Sequence, residues 1–314
     1  PQRHRDTEKS KRIYRRVSLS LCVSVVAFFV LCCTSILSQA APLTLTDDSG
    51  TQIVFATPPQ RIISLAPNLT ELAYAAGMGS HMVAVTAYSD YPPQAQQLPQ
   101  IGDAFRLDWE RLLALRPDLI LAWGSSFSAR DRAAFEKLKL KVWVLEPRHL
   151  DDIPKILRLL GRVANTAPAA EKAAQTFERE RDSLRQQYAG LPVARVYFQI
   201  AEGPLLTIND EHIISDVLRL CGGQNVFGHA SLLVSTISDE ALVQSKPDVM
   251  LALAATPEEQ EKIRSSWLGL PLLAARQGRI GFIHPDLIAR STPRILQGGR
   301  QVCEHLASLP EKLR

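Results

Sequence analysis

Residues 107–122 read LDWERLLALRPDLILA, and residues 237–252, 130 positions further on, read ISDEALVQSKPDVMLA. In each stretch a capping residue, Asp108 or Ser238, precedes a short predicted helix. A turn of the form basic-Pro-Asp ends that helix, and an apolar run follows that has the length of a buried parallel strand. The shared pattern predicts that the chain folds into two similar lobes.

Each copy of the pattern carries a glutamate at the same position, Glu110 in the first and Glu240 in the second. Both fall in the first turn of a predicted helix, where the helix dipole favours a carboxylate. The residues alone slightly favour the interpretation that the two glutamates only stabilise their helices. The other interpretation is a matched pair of negative sites, one per lobe, for a partner with matching positive sites.

The segments around the two copies alternate between strand and helix patterns. The predicted strands are 62–65, 82–86, 119–123 and 142–145 in the first half and 195–200, 249–254 and 280–284 in the second. The predicted helices include 216–220, 258–264 and 68–76, the last opened by Asn68 and Glu71 as a capping box. This order predicts an α/β protein with two lobes, each with a central, mostly parallel sheet flanked by helices.

A stretch without strand pattern lies between the two halves. Pro168 suits a first helical position, and Phe177 and Leu184 fall near one face of a helix that runs to Gly190. Such a helix spans roughly 30 Å and restricts the lobes to small hinge movements. The predicted organisation is a signal peptide over 1–40, an N-terminal lobe over 41–150, a linking helix region over 151–190 and a C-terminal lobe over 191–314.

The first 40 residues have the composition of an export signal. Seven basic and two acidic residues precede 21 residues, 17–37, that contain no Asp, Glu, Lys, Arg or His. Small residues then stand at Ser38 and Ala40, the positions that a signal peptidase reads. We therefore expect cleavage after Ala40 and a periplasmic protein. The alternative is a retained, membrane-tethered form, because 21 residues without a charged side chain are long enough to span a bilayer.

Cleavage changes the charge and the cysteine count. The remaining chain has 29 basic and 30 acidic side chains, and no Lys/Arg run with interleaved aromatic residues, so we expect no nucleic-acid partner. Cys221 and Cys303 are its two cysteines. In an oxidising compartment we expect a disulfide rather than two free thiols. The bridge would close a loop of 82 residues and, on the chain-entropy model, would add about 4–5 kcal/mol to the free energy of unfolding.

The motifs of common enzymes are missing from the sequence. There is no GxSxG, GxxxxGK[ST], HExxH or CxxC pattern, and the scattered histidines show no metal-ligand spacing. We therefore expect neither catalysis nor a metal site. An exported enzyme that uses Asp286 and Arg290 as site groups is the alternative from another functional class.

Ligand contacts of open α/β folds gather at the carboxyl ends of the strands. Tyr88 and Tyr91 follow the second predicted strand, Trp123 ends the third, and Asp286 and Arg290 follow the last. A purely structural interpretation is also open. Tyr91 would then pack under its own loop, Trp123 would cover the core, and Asp286 would cap the next helix. Taken together, these residues predict a cleft for a large, partly flat and partly polar ligand.

Five segments carry a resemblance to a known family. They are 61–72, 88–95, 117–123, 221–227 and 291–296. They resemble the periplasmic vitamin B12-binding proteins of cobalamin ABC importers, a branch of the helix-linked two-lobe (class III) substrate-binding proteins. The resemblance runs from about residue 60 to 306. It implies a rigid connecting helix, a monomer without catalysis, cobalamin as transported ligand, and delivery to an inner-membrane permease dimer with its cytoplasmic ATPase.

The resemblance also implies roles for individual residues. The ligand-binding positions are Tyr88, Phe105, Trp123, Asp286, Leu287, Ile288, Ala289 and Arg290. Glu110 and Glu240 match the glutamates with which the family docks on permease arginines, which makes docking the preferred interpretation of the pair. Cys221 and Cys303 match the family's disulfide.

The chain departs from this family at several positions in the expected cleft. Ala104, Ile200, Leu206 and Val234 stand where the family has aromatic residues. Each replacement removes roughly 1 kcal/mol of ring stacking. The alternative ligands are therefore haem or a ferric siderophore on the same fold, with Tyr88 as an iron ligand.

Overall fold

The computed structural model describes residues 42–103, 106–201 and 203–310. The predicted cleavage after Ala40 and the predictions for Ala104 and Phe105 lie outside the described residues. Residues from Leu43 onward form one compact unit. Within the described part of the chain, no helix is long and apolar enough to cross a membrane.

The N-terminal lobe is built on a four-stranded parallel sheet. The elements in chain order are β1 (Leu43–Thr46), β2 (Gln52–Phe55), β3 (Ile62–Ser64), α1 (Pro67–Ala75), β4 (Met82–Val85), α2 (Trp109–Ala114), β5 (Leu119–Trp123), α3 (Ala129–Lys137) and β6 (Val142–Leu145). The sheet has the spatial order β4-β3-β5-β6, and β1 and β2 form a separate antiparallel pair. Central β5 is buried over its first four residues, as a parallel strand covered on both faces must be.

Two helices connect the lobes, α4 (Asp152–Val163) and the 21-residue α5 (Ala167–Gln187). The sequence predicts the start of α5 to within one residue, places its end three residues too late, at Gly190, and does not predict α4. The two helices pack closely, because a Cβ atom at Gly161 would lie 2.3 Å from the Cβ of Ala170. Arg158 of α4 also pairs with Glu171 and Glu178 of α5, at 2.8 and 2.6 Å.

The C-terminal lobe repeats the plan of the first. Its elements are β7 (Ala194–Gln199), β8 (Leu206–Ile208), α6 (Ile213–Leu220), β9 (Gly223–Asn225), β10 (Val234–Thr236), α7 (Asp239–Ser245), β11 (Val249–Leu253), α8 (Pro257–Leu268), α9 (Leu273–Arg276), β12 (Ile280–Ile283), α10 (Pro285–Ile288) and α11 (Ile295–Ala307). The order β12-β11-β7-β9 is again fully parallel, and β8 pairs antiparallel with β10. The predicted α/β class with two sheets and a linking helix is confirmed, whereas the predicted domain limits stay predictions.

The caps predicted from the repeated pattern are confirmed. The Asp108 carboxylate accepts a hydrogen bond from the backbone N–H of Arg111 at 3.0 Å. The Ser238 hydroxyl accepts one from the backbone N–H of Ala241 at 3.2 Å. Both satisfy N–H groups that the first helical turn leaves without a partner.

The repeated turn also ties each copy to the first strand of its own sheet. Asp118 accepts a hydrogen bond from the backbone N–H of Arg61 at 2.9 Å, just before β3. Asp248 accepts one from the backbone N–H of Arg195 at 2.8 Å, at the start of β7. The pattern at 107–122 and 237–252 is therefore one structural unit used twice.

The predicted capping box at Asn68 and Glu71 is wrong. Helix α1 begins at Pro67, its cap residue is Ala66, and no side chain caps it. Proline at this position lacks the N–H that would need a cap, and its fixed φ suits the first turn. The Glu71 side chain points instead to the C-terminal lobe, as described below.

A buried apolar cluster runs through both lobes. It includes Leu121 of β5, Leu251 of β11, Leu157 of α4 and Phe177 of α5. Since one core connects both sheets to the linking helices, the lobes are held by packing as well as by the chain.

Candidate ligand-binding cleft

Four charged residues join the two lobes. Glu71 of α1 and Asp90, after β4, belong to the N-terminal lobe, and Arg290 and Arg294 follow α10 in the C-terminal lobe. Arg290 Nη1 lies 3.0 Å from Glu71 Oε1 and 2.7 Å from Asp90 Oδ1. Arg294 Nε donates to Glu71 Oε2 at 2.9 Å. We call these four residues the interlobe bridge, and it brings the loops after β4 and β12 together.

The interlobe bridge lies largely out of water. The Glu71 side chain is 2% exposed and that of Arg290 is 13% exposed. Burial by itself would lower the pKa of Arg290, but hydrogen bonds to Asp90 and Glu71 raise the pKa above its ordinary value. The hydrogen bond to Glu71 likewise raises the pKa of Arg294. Both arginines therefore stay charged, which satisfies the buried carboxylate.

Asp90 is the most exposed acid of the bridge, with 49% of its side chain in water. Its partial burial acts to raise its pKa, but the hydrogen bond from Arg290 outweighs burial and holds the pKa below its ordinary value. Asp90 therefore remains ionised at neutral pH and attracts Arg290 across the lobe boundary.

The predicted Asp/Arg pair of the C-terminal lobe forms. Arg290 Nη2 lies 2.8 Å from Asp286 Oδ1, and the Asp286 side chain is 37% exposed. Within the same loop Leu287 is half-buried and Ala289 is exposed. Ile288, also predicted to bind ligand, is fully buried in the apolar core.

The predicted aromatic residues of the N-terminal lobe differ in their exposure to solvent and in their contacts. Tyr88 is 77% exposed, and its φ of 65° lies in the left-handed region, which is uncommon for a residue other than glycine. Trp123 is half-buried at the end of β5 and lines a cavity of about 600 Å³ with Leu65 and Phe127. The ring of Tyr91 is covered by the Arg294 guanidinium, whose carbon lies 4.0 Å from the ring centre.

Tyr88 and Trp123 lie at the carboxyl edge of the same sheet, after β4 and at the end of β5, with β3 between them. On the C-terminal lobe, Leu232 is 64% exposed and Val234 is 38% exposed beside and on β10. An exposed aromatic ring and exposed aliphatic side chains are therefore available for an apolar ligand surface.

Three members of the interlobe bridge, Glu71, Asp90 and Arg294, were not predicted as site residues. Glu71 fits a local capping pattern, and Arg294 lies in segment 291–296, which shows only a resemblance to the family. Glu71 and Arg294 are 223 residues apart in sequence, so no local sequence pattern connects them. Opposite charges inside otherwise apolar segments are the one sign that could have pointed to a buried pair.

Side chains that could bind a metal ion are not grouped together in the part of the chain that the structure describes. Residues 42–103, 106–201 and 203–310 contain no group of three or more His, Cys, Asp or Glu side chains that could hold a metal ion.

The two repeated glutamates are exposed on short helices of different lobes, Glu110 on α2 and Glu240 on α7. A hydrogen bond with its own backbone and another with Ser238 lower the pKa of Glu240. Each lobe therefore presents one carboxylate to solvent at the start of an equivalent helix.

A disulfide joins Cys221 and Cys303. It links the C-terminal end of α6 to α11, both within the C-terminal lobe, and both cysteines are fully buried.

Two parallel α/β lobes, a long linking helix and an interlobe bridge at the strand ends define a two-lobe ligand-binding protein. A family model described as periplasmic binding protein matches residues 62–287. The chain belongs to this family.

Individual relatives refine the comparison. The chain is 35% identical over 256 residues to a vitamin B12-binding protein of Pectobacterium carotovorum subsp. carotovorum (strain PC1), covering 80% of this chain and 90% of the relative. The crystal structure of the periplasmic vitamin B12 binding protein BtuF of Vibrio cholerae matches with a TM-score of 0.72 and 33% identity, over 80% of this chain and 97% of that chain. A periplasmic heme-binding protein from Pseudomonas aeruginosa matches with a TM-score of 0.70 and 25% identity, over 80% and 94%. The resemblance stated from the sequence is confirmed.

Proposed function

We propose that the protein is the periplasmic substrate-binding component of an ABC importer, and that it binds cobalamin between its two lobes. The observation that carries the proposal is the match to vitamin B12-binding proteins along nearly their whole length, at higher identity than to the haem-binding protein. The geometry supports it, since the interlobe bridge brings the loop that carries Tyr88 and Asp90 to the Asp286–Arg290 loop of the other lobe.

The proposed cleft residues suit a large corrin ring with amide side chains. Tyr88 offers an aromatic face, and Val234 offers an aliphatic surface for the ring. Asp286 and Ala289 remain accessible for the amide side chains. Arg290 already pairs with Asp286, Asp90 and Glu71, so we assign it mainly to positioning the loop.

The proposal includes a cleft that is largely formed before the ligand arrives. The shared core, the linking helix α5 and the interlobe bridge oppose a wide movement of one lobe against the other. A pre-organised cleft binds more tightly than a flexible one, because little conformational entropy is lost when the ligand binds.

Calorimetric titration tests the ligand. We expect one cyanocobalamin per protein with submicromolar affinity, and no binding of haem or of a ferric siderophore. Tyr88→Ala should weaken cyanocobalamin binding several-fold by removing ring contact. Val193→Ala is the control, because Val193 is 66% exposed and precedes β7, at the amino-terminal edge of the sheet of the C-terminal lobe. Saturation by haem without any response to cyanocobalamin would overturn the proposal.

The second candidate is haem or ferric-siderophore binding, and the observation in its favour is the exposed phenol of Tyr88. Tyr88→Phe separates the two candidates because it keeps the ring and removes the oxygen. Corrinoid binding should persist in this variant, whereas binding through an iron–phenolate bond would be lost.

We also propose that Glu110 and Glu240 dock the protein on the permease, through arginines on its two halves. Their exposure on equivalent helices of the two lobes supports this role. We propose no catalysis, because Asp286 and Arg290, which an enzyme on this scaffold would use, pair with each other.

The periplasmic location is proposed with cleavage after Ala40. N-terminal sequencing of protein isolated from cells tests it. Residue 41 at the start of the mature chain supports the soluble form, and a retained N-terminus supports the membrane-tethered form.

A further inference from the structure

A large cavity lies against the linking helix and apart from the proposed cobalamin contacts. Its volume is about 1100 Å³, and its walls are α1, the segment 91–98, α5 and the segment 293–297. Neither Tyr88, Trp123 nor Asp286 lines it. We call it the helix-side cavity. Its size exceeds what a small molecule needs, since ligand pockets usually enclose roughly 300–1,000 Å³.

The walls of the helix-side cavity are largely apolar and partly aromatic. They include the rings of Tyr74 and Tyr91, with Ala173 and Phe177 of α5. The ring of Tyr74 is held by a close neighbour, because a Cβ at Gly79 would lie 2.6 Å from it. Phenolic rings of this kind suit the face or edge of a flat compound.

The charges in the walls are not all balanced by the protein. The charge of Glu71 is neutralised by Arg290 and Arg294. Lys172 and Glu180 are exposed on α5, and neither forms an ion pair with any of the described residues. They are eight positions apart, which separates them by about 12 Å along the helix. One end of the cavity therefore offers a cation and the other repels an anion.

We propose that the helix-side cavity is a second ligand site, for a small aromatic compound with one anionic group, and that its occupancy is linked to that of the cobalamin cleft. The anion would pair with Lys172, and the ring would lie beside Tyr74 and Tyr91. The ring of Tyr91 also stacks on Arg294, which holds Glu71 in the interlobe bridge. A ligand that fixes this wall therefore acts on the contact that sets the position of the lobes.

The linkage rests on the proposed function, whereas the site itself does not. The walls come from both lobes and from the helix between them, so any change in the angle between the lobes changes the shape of the cavity. Reciprocity then requires that cobalamin and the second ligand change each other's affinity by the same factor.

The test uses 2-naphthoate as probe and the protein purified from the periplasm of an expression host. Calorimetry should show one 2-naphthoate per protein that saturating cyanocobalamin does not displace. In saturating 2-naphthoate the affinity for cyanocobalamin should change by about fivefold or more. Absence of binding, or displacement by cyanocobalamin, overturns the second site. Binding with unchanged cyanocobalamin affinity overturns the linkage.

Variants locate the probe. Ala173→Trp should abolish 2-naphthoate binding by filling the cavity, and Gln186→Trp, on the exposed surface of the same helix, should leave it unchanged. Lys172→Gln should weaken binding about tenfold by removing the cation, and Glu180→Gln should strengthen it. Since Lys172 and Glu180 are exposed, these two variants remain informative if Ala173→Trp does not fold. Equal binding by the Lys172→Gln and Glu180→Gln variants would overturn the assignment to an anion.

Discussion

Glu71 is a buried carboxylate that depends on residues of the other lobe. Taking a charge out of water is costly, and the cost is met only if the partners hold good geometry. Arg290 and Arg294 supply three hydrogen bonds to its two oxygens, at 2.5 to 3.0 Å. Because both arginines come from the C-terminal lobe, their attraction acts between the lobes.

Glu71→Gln tests this role. The change keeps the shape of the side chain but removes the carboxylate that pairs with the largely buried Arg294, and it takes from Arg290 one of its three carboxylate partners. We therefore expect a loss of about 3–5 kcal/mol in the free energy of unfolding. Urea unfolding measures it. Asp90→Asn is the matched control, because Asp90 belongs to the same bridge but is 49% exposed, and it should cost less than about 1 kcal/mol. Equal losses in the two variants would contradict an interior role for Glu71.

Local and long-range residues differ in how far the sequence predicts them. Asp108 and Ser238 cap helices through contacts only three residues away, and the sequence predicts both correctly. Glu71 fits the same kind of local rule, but its partners are 219 and 223 residues away. A buried pair with the other lobe outweighs the local preference, and no short pattern records it.

Among the elements, α10 depends on a close approach to α11. A Cβ at Gly298 would lie 2.8 Å from the Cβ of Ile288 and 2.9 Å from the backbone oxygen of Leu287. Both neighbours belong to α10, which carries Asp286. The absence of a side chain at Gly298 therefore positions the loop that we propose to contact the ligand.

Gly298→Ala should displace α10 and destabilise the protein by about 1–3 kcal/mol. It should also weaken cyanocobalamin binding, since Asp286 moves with the helix. Gly299→Ala is the neighbouring control. Its Cβ would meet only Val217, at 3.3 Å, and the better helix propensity of alanine, worth about 1 kcal/mol, offsets that contact. Calorimetry and urea unfolding of both variants check this, and equal effects would show that the packing at Gly298 is not what holds the loop.

The short helices α2 and α7 carry the proposed docking glutamates in unequal surroundings. The residue before Glu240 is Asp239, and the residue before Glu110 is Trp109. Removal of Glu240 thus leaves the adjacent carboxylate of Asp239, whereas removal of Glu110 leaves only that of Asp108, which already accepts the hydrogen bond that caps α2. The two single substitutions should therefore differ.

Glu110→Ala should reduce cobalamin uptake by whole cells more than Glu240→Ala, and the double variant should abolish it. Binding of cyanocobalamin to the isolated protein should be unchanged, because both side chains are exposed on helices outside the proposed cleft. Glu136→Ala and Glu258→Ala, exposed glutamates on α3 and α8, serve as controls with normal uptake. Weakened cyanocobalamin binding with normal uptake would contradict the proposed docking role of Glu110 and Glu240.

Strands buried in the parallel sheets are predicted better than the strands of the two antiparallel pairs. The predicted limits of β5 and β6 agree with the structure, because a continuous apolar run marks a strand buried in a parallel sheet. The two antiparallel pairs, β1 with β2 and β8 with β10, are not predicted. Three-residue β10 is largely exposed and is a strand because of its pairing with β8, which its own sequence does not encode.

At the scale of the whole molecule, one apolar cluster extends through both lobes and the linking helices. The interlobe bridge holds the lobes together near the strand ends, and α4 and α5 connect them covalently. We therefore expect the lobes to unfold together, as one cooperative unit, although they look like two domains.

The disulfide allows a test of this cooperativity, because Cys221 and Cys303 both lie in the C-terminal lobe. Its reduction should lower the free energy of unfolding by about 4–5 kcal/mol on the chain-entropy model, since it frees a loop of 82 residues. Hydrogen exchange measured by mass spectrometry reports each lobe separately, through β5 in the first and β11 in the second. If the lobes form one unit, reduction lowers the protection of both strands by the same amount. Loss of protection in β11 with unchanged protection in β5 would mean that the shared core does not couple the lobes.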